Sequence, residues 1–208
     1  LYSSAASDVY KRQKQGFSRL LLDFALQVSY DMHEFTSSEE RKMGVILGID
    51  IGGSSTKIVG LHENGTVIDM LRVKAEDPLT SLYGALGNFL ATHSLKLTDI
   101  GHIALTGVGA SYVDGDIYGV RTVKVEEFPS VGVGGLALSR KERAVVVSMG
   151  TGTSLLWAEK GGEIRHIIGS GIGGGTLSGL SELITGVHQY ALIRKLCQDG
   201  DLSQIDLT

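Results

Sequence analysis

The sequence predicts an α/β protein of two lobes built on one plan, with helices against mixed sheets. Three observations predict it. Val45 to Ile51 is a nearly continuous apolar, β-branched run, the pattern of a buried strand. It ends in Gly52-Gly53 and the hydroxyl cluster Ser54-Ser55-Thr56, then resumes as a strand at Ile58-Val59. The same design returns as Ala144–Met149, the turn Gly150-Thr151-Gly152-Thr153-Ser154 and Leu155–Ala158. A repeat spaced by about 100 residues is too long for a stacked solenoid and fits two related lobes.

The strands and helices follow in order. Val45–Ile51, Thr56–Leu61 and Thr66–Val73 read as three antiparallel strands, and Glu63-Asn64-Gly65 is the hairpin signal between the last two. Asp77-Pro78 opens a helix as cap and first residue, with Leu79, Leu82, Tyr83, Leu86, Phe89 and Leu90 at helical spacing. Ile100–Leu105 is a short strand ending in Thr106-Gly107, and Arg121–Val125 is another, leading into Glu126-Glu127-Phe128. Ser130–Leu138 reads as a glycine-rich helix that packs closely on a neighbour. After the second hairpin, Glu163–Ile168 is a third strand and a helix runs through Leu177, Leu180, Leu183, Ile184 and Val187. The expected lobes are 43–139 and 140–208. The second, with three strands and about one helix, reads as incomplete at Thr208.

Residues 1–42 stand apart. Leu1 to Gln15 is polar and without pattern, and Asp23 interrupts the apolar run Leu20-Leu21-Leu22. An amphipathic helix through Leu21, Leu22, Ala25 and Val28 is conceivable there, but no small-residue cleavage site marks a signal peptide. Met43 is the expected natural start. The segment before it is expected to be a non-native or disordered extension that packs poorly on the rest.

Composition narrows the function. With 208 residues there is room for one large or two small domains, and 42% apolar content supplies a core. The 29 glycines against 2 prolines indicate tight turns. A net charge of −4 disfavours nucleic-acid binding. No apolar run reaches the roughly 18 residues of a membrane span. Cys197 is the only cysteine, so neither a disulfide framework nor a cysteine-ligated metal site forms within one chain. A reducing, cytoplasmic setting fits.

The first turn carries the chemistry. Asp50 lies inside an apolar run, where a carboxylate is costly unless partnered or functional. Successive amides in a Gly52-Gly53 turn form a concavity for anionic oxygens. Lys57 supplies a point charge for phosphate, and Asp50 a carboxylate for hydrated Mg²⁺. The alternative is an ordinary hairpin with a surface lysine. In the repeat, Gly52 falls on Gly150, Ser55 on Thr153, Thr56 on Ser154 and Asp50 on Ser148, so the second turn lacks the carboxylate. Gly169, Gly171 and Gly174 spell G-x-G-x-x-G, a weak dinucleotide signal that here follows a hairpin strand. The turn still opens a helix toward an anion, or serves close backbone packing. Glu127 is either a general base at a strand end or one of a solvated Glu-Glu pair. Asp114 and Asp116 read as solvated turn residues, Cys197 as buried and His188 as a surface residue.

Taken together, these motifs resemble the actin–hexokinase–Hsp70 superfamily, and within it the type II pantothenate kinases. The matching pieces are Gly48-Ile49-Asp50-Ile51-Gly52-Gly53 with Lys57, Leu105-Thr106-Gly107, Val125-Glu126-Glu127-Phe128, Gly150-Thr151-Gly152-Thr153-Ser154, and Gly173-Gly174-Gly175-Thr176 with Gly179-Leu180. Each piece is common; their order is specific. The resemblance covers the chain from Met43 onward, and the family's C-terminal portion is absent. It implies actin-like (ribonuclease H-like) lobes with ATP between them, and transfer of the ATP γ-phosphoryl to the hydroxyl of pantothenate, the first step toward coenzyme A. By the same implication Asp50, Gly52, Gly53, Ser54, Ser55, Thr56 and Lys57 hold the phosphates, with Mg²⁺ held on Asp50 through water. Glu127 is the general base, and Thr151, Gly174, Gly175, Thr176, Leu177 and Ser178 contact nucleotide, with Tyr190 on the adenosine side. The family often has a substrate-binding arginine just before the glycine loop; here His166 takes that position, with Arg165 beside it. A homodimer is implied, as is a single cleft in which Asp50, Lys57, Glu127 and Gly174 converge.

Rival readings share the fold, because fold does not fix substrate. A sugar or amino-sugar kinase is one, although the Cys/His zinc cluster of a large sugar-kinase group is missing. An activator ATPase of radical dehydratases is another, and a single cysteine disfavours it. A non-catalytic nucleotide-binding module would need no base at Glu127. The chain alone is expected not to be a competent kinase, with apolar faces of Ala144–Met149 and Leu177–Val187 uncovered.

Overall fold

The computed structural model describes residues 44–74, 77–198 and 200–201. The expectations for residues 1–42 and for Met43 lie outside the described residues. Two compact units are present. The first comprises the described residues up to Val146 together with Leu156–His166, and the second Val147–Leu155 together with the residues from Ile167 onward.

The first unit is organised on a five-stranded sheet of order β3-β2-β1-β4-β5. Its strands are β1 (Val45–Ile51), β2 (Ser55–Leu61), β3 (Val67–Lys74), β4 (Ile100–Thr106) and β5 (Thr122–Lys124). β1, β2 and β3 pair antiparallel, whereas β4 pairs parallel with both β1 and β5. The sheet is therefore mixed, as expected. Helix α1 (Pro78–Thr92) provides the crossover that a parallel neighbour for β1 requires. Asp77 caps it, accepting a hydrogen bond from the Thr80 amide at 2.7 Å, and Pro78 follows at the first turn.

The two faces of this sheet are covered differently. Leu47, Ile49 and Ile51 of β1, Ile58 of β2 and Ile103 and Leu105 of β4 face one way, onto Leu82, Ala85, Leu86 and Phe89 of α1. Gly60 allows this contact, since a Cβ there would come within 2.6 Å of the Phe89 ring. Ala110, Val113, Ile117 and Val120, from the segment after β4, complete that core. Ile46, Val59, Leu61 and Ala104 face the other way, with Val67, Met70 and Val125. Alternation along each strand then puts Asp50, Lys57 and Thr106 on this second face.

Helix α2 (Glu127–Ser139) begins earlier than the sequence indicated. Glu127 is its first residue and Glu126 its N-cap, so Glu127 stands at a helix start and not at a strand end. The close packing expected of its glycines is present: a Cβ on Gly132 or Gly135 would come within 2.5 Å of Ile164 or Val146. These contacts tie α2 to β6 (Arg143–Met149) and β8 (Ile164–Ser170), which flank β7 (Thr153–Glu159) in a three-stranded sheet of order β6-β7-β8.

The second unit carries two helices where about one was expected, α3 (Gly174–Thr185) and α4 (Tyr190–Gln198). Apolar side chains of α3 are exposed, Leu183 at 81% and Ile184 at 77%. Cys197 on α4 is exposed, which corrects the expectation that it is buried. Ile193 is the buried position of that helix, and Leu192 and Leu196 beside it are themselves exposed. No helix among the described residues is long and apolar enough to cross a membrane.

Candidate active site

In the first unit the site grows from the end of β1. Asp50 pairs in register with Lys57 on β2 and with Thr106 on β4. Lys57 Nζ donates to Asp50 Oδ2 at 2.5 Å, and each side chain is roughly three-quarters buried. Both ions thus have the partner that a carboxylate in an apolar strand requires. The remaining oxygen, Oδ1, faces backbone without side chains. A Cβ on Gly52 would lie 3.7 Å from it, and one on Gly107 would strike it and approach the Ile51 carbonyl to 2.6 Å. Gly107 also has φ of +88°, a conformation favouring glycine. Glycine is therefore demanded at 107 twice, by conformation and by the carboxylate.

Glu127 belongs to the same group. Partial burial of its carboxyl raises its pKa above the ordinary glutamate value, repulsion from Asp50 raises it further, and Lys57 opposes both. The residue as a whole is nonetheless exposed to solvent. Next to it, the Phe128 ring stacks on His166 of β8, centroids 4.6 Å apart and planes 6° from parallel. Arg165 behaves differently. Adjacent strand residues point to opposite faces, and Arg165 pairs with Glu163 at 3.7 Å, both well exposed. Of the two residues considered for substrate, His166 accompanies Phe128 and Arg165 does not.

Other members of the first turn divide. Gly53 and Ser54 are exposed, and the Gly52 amide donates to the Ser55 carbonyl at 3.1 Å. Ser55 is buried on the Lys57 face by alternation. Thr56 is fully buried on the opposite face, paired with Ile51, so its side chain does not join Asp50 and Lys57. The sequence reading singled out Thr106 only as part of a motif. Its hydroxyl is buried with no hydrogen-bond partner among the described residues. A carboxylate oxygen flanked by glycines, together with a buried hydroxyl in the same row, is a donor set that suits a hydrated Mg²⁺ bearing phosphate oxygens. Among the described residues no group of three His, Cys, Asp or Glu forms a metal cluster. Asp116 is used within its own loop, accepting from the Thr122 amide at 2.8 Å. Asp114 and His188 are exposed. An open depression of about 630 Å³ by Gly44, His62, Glu63 and Asp99 lies at the other end of β1 and shares no residue with this group.

In the second unit, the turn Gly150 to Gly152 packs backbone to backbone on the loop before α3. The Gly174 amide donates to the Gly150 carbonyl at 2.8 Å, and Thr153 Oγ1 donates to the Ile172 carbonyl at 2.8 Å. A Cβ on Gly173 would lie 2.6 Å from the Thr151 carbonyl, and one on Gly152 2.7 Å from that of Ser170. These glycines serve close packing. Gly169 lies inside β8, so the G-x-G-x-x-G match is not a strand-to-helix dinucleotide turn. Gly174, Gly175, Thr176, Leu177 and Ser178 form the first turn of α3, whose amides and dipole favour an anion. Thr151 is exposed on the turn facing that loop, and Tyr190 is exposed at the start of α4.

Comparisons with known proteins agree with the motif reading. The model of the family described as Fumble matches residues 120–208. The chain is 29% identical over 170 residues to the type II pantothenate kinase of Bacillus cereus (strain AH820), spanning 78% of this chain and 57% of that protein. It is 30% identical over 165 residues to that of Staphylococcus haemolyticus (strain JCSC1435), spanning 77% and 57%. The chain thus spans little more than half the length of these curated relatives. Among solved structures, component A of (R)-2-hydroxyglutaryl-CoA dehydratase from Acidaminococcus fermentans superposes with a TM-score of 0.57 at 15% identity, over 79% of this chain and 60% of that one. The activator of 2-hydroxyisocaproyl-CoA dehydratase from Clostridium difficile, with bound ADPNP, gives 0.55 at 17% identity, over 79% and 58%. At such identities the likeness is one of fold. The fold is that of the actin-like ATPases, and the resemblance in sequence is to the type II pantothenate kinases.

Proposed function

We propose that this chain is the catalytic portion of an ATP-dependent pantothenate kinase. The observation that carries the proposal is the grouping of Glu127 with the Asp50–Lys57 pair, where burial first and then Asp50 raise the Glu127 pKa against the pull of Lys57. Phosphoryl transfer asks the protein for positioning, charge neutralisation and a base for the attacking hydroxyl. Lys57 neutralises phosphate oxygens, and Asp50 holds Mg²⁺ through water. Bound Mg²⁺ supplies charge for the transferring phosphoryl. Glu127, with its proton affinity raised, accepts the proton of the pantothenate hydroxyl as the oxygen attacks the γ-phosphorus, whose bond to the bridging oxygen breaks to release ADP. The exposed Gly53 and Ser54 offer turn amides to phosphate. Thr151 and the first turn of α3 are assigned to nucleotide by their motif match, as is Tyr190. His166, held flat by Phe128, presents a ring N–H to the substrate carboxylate, a role its stacking favours over Arg165. A cytoplasmic homodimer is part of the same reading.

The test is transfer of label from γ-labelled Mg²⁺-ATP to pantothenate, with N-acetylglucosamine as rival acceptor. Labelled phosphopantothenate is expected. Glu127→Ala should cut turnover by about 10²–10⁴ while nucleotide binding survives. His166→Ala should raise the KM for pantothenate more than it lowers kcat. Transfer to the sugar, or phosphate release indifferent to pantothenate, would overturn the assignment.

A further inference from the structure

The row that contains Asp50 holds one polar group that the phosphate-and-base reading leaves unused. Thr106 ends β4 directly beside Asp50, in parallel register. Its side chain shares the face of Asp50 and Lys57, since Ala104 two residues earlier packs with Ile46 and Val59. The residue is 6% exposed, and its hydroxyl has no hydrogen-bond partner among the described residues. Burying a hydroxyl unpaired is unfavourable. Valine has nearly the same shape and suits a strand as well, so threonine here needs a reason beyond the fold. The next residue supplies a second observation. Gly107 turns away at φ of +88° and leaves room for the Asp50 carboxylate, which any Cβ there would strike. The Thr106-Gly107 corner is shaped around Asp50.

We infer that Thr106 is a ligand-binding residue, its hydroxyl donating a hydrogen bond to an oxygen of the Mg²⁺–phosphate unit held at Asp50. This rests on the nucleotide-binding part of the proposed function, and not on pantothenate. The acceptor is either a phosphoryl oxygen or a water of the hydrated cation. Both are oxygens brought to the same carboxylate, and a hydroxyl on a rigid strand end serves either. Thr56 also has a buried hydroxyl with no hydrogen-bond partner among the described residues, but it lies on the opposite face among the side chains under α1. The two threonines therefore differ in what they can reach.

The test compares the parent chain with Thr106→Val and Thr106→Ser, by calorimetric titration with ADPNP and by melting without ligand. Thr106→Val is expected to weaken ADPNP binding in Mg²⁺ by about tenfold or more, the loss of a hydrogen bond to a charged group. Without ligand it should melt higher than the parent, because an unpaired buried hydroxyl is gone. Thr106→Ser keeps the donor and should bind within a few-fold of the parent. Repeating the titration in chelator separates the sources. A Val effect that persists there assigns the phosphoryl oxygen, and one confined to Mg²⁺ assigns the cation's water. Equal ADPNP affinity of parent and Thr106→Val overturns the inference. So does a Thr106→Val chain that melts lower or fails to fold, since the hydroxyl would then serve the fold. A parent that binds no ADPNP overturns the nucleotide reading itself, whereas binding without transfer to pantothenate leaves this inference standing.

Discussion

Glu127 shows how one carboxyl links stability to chemistry. Its native pKa is raised first by burial, then by Asp50, against the pull of Lys57. Between the unfolded and native values the native chain binds more protons, so stability falls as pH rises through that window. Below the window the carboxyl is neutral in both states and the penalty is absent. Glu127→Gln should therefore melt above the parent at neutral pH and level with it below the ordinary carboxylate range. The same variant should lose turnover, and kcat/KM of the parent should fall as pH drops through the raised value. A variant melting below the parent at neutral pH would show that the carboxylate is welcome where it stands. Asp50 and Lys57 were legible as functional because a charge inside an apolar strand calls for a partner. That the partner of each is the other depends on the cross-strand register, which the hairpin turn fixes and composition does not reveal. The burial of Thr56 away from the site follows from the same alternation. A cluster read as a run of hydroxyls is divided by the sheet into two faces.

At the scale of elements, boundaries were legible where a residue has one local use. Asp77-Pro78 is such a case, and Asp77→Ala should destabilise the chain through loss of the bond to the Thr80 amide. Chemical denaturation with an unchanged m-value would check this, and no change in midpoint would mean α1 is held by Leu82, Leu86 and Phe89 alone. The start of α2 was less legible because of Pro129. Proline reads as a barrier to helix, yet within the first turn its missing N–H would find no helical partner anyway. The helix therefore includes Pro129 and begins at Glu127. That shift matters for chemistry, since it places the carboxyl on the first turn of a helix. The glycines of α2 were legible as a packing surface, but not their partners, Ile164 and Val146, which lie beyond the intervening turn. Cys197 was misplaced for a related reason. Its helix shows an apolar stripe, and a stripe marks which side is apolar without showing that anything covers it.

At the scale of the whole molecule, burial is unevenly distributed between the two units. The buried apolar side chains belong to the first unit almost without exception, and Ile193 is the one in the second among the described residues. Local opening free energy follows buried apolar contact, so the units should differ in protection from hydrogen exchange. Amides of β1 and β4, between two covered faces, should exchange slowest, near the limit set by global unfolding. Those of α3, with Leu180, Leu183 and Ile184 exposed, should exchange through local fraying, faster by orders of magnitude. Ligand supplies the second arm. If the first turn of α3 meets phosphate as proposed, saturating Mg²⁺-ADPNP should slow exchange at Gly175 to Ser178 by mass action. The β1 amides should also gain wherever global unfolding governs them. Protection of α3 equal to that of β1 before ligand is added would show that its apolar face is covered in solution. Slowing confined to β1 and β2 would remove the α3 turn from the nucleotide site while leaving Asp50 and Lys57 in it.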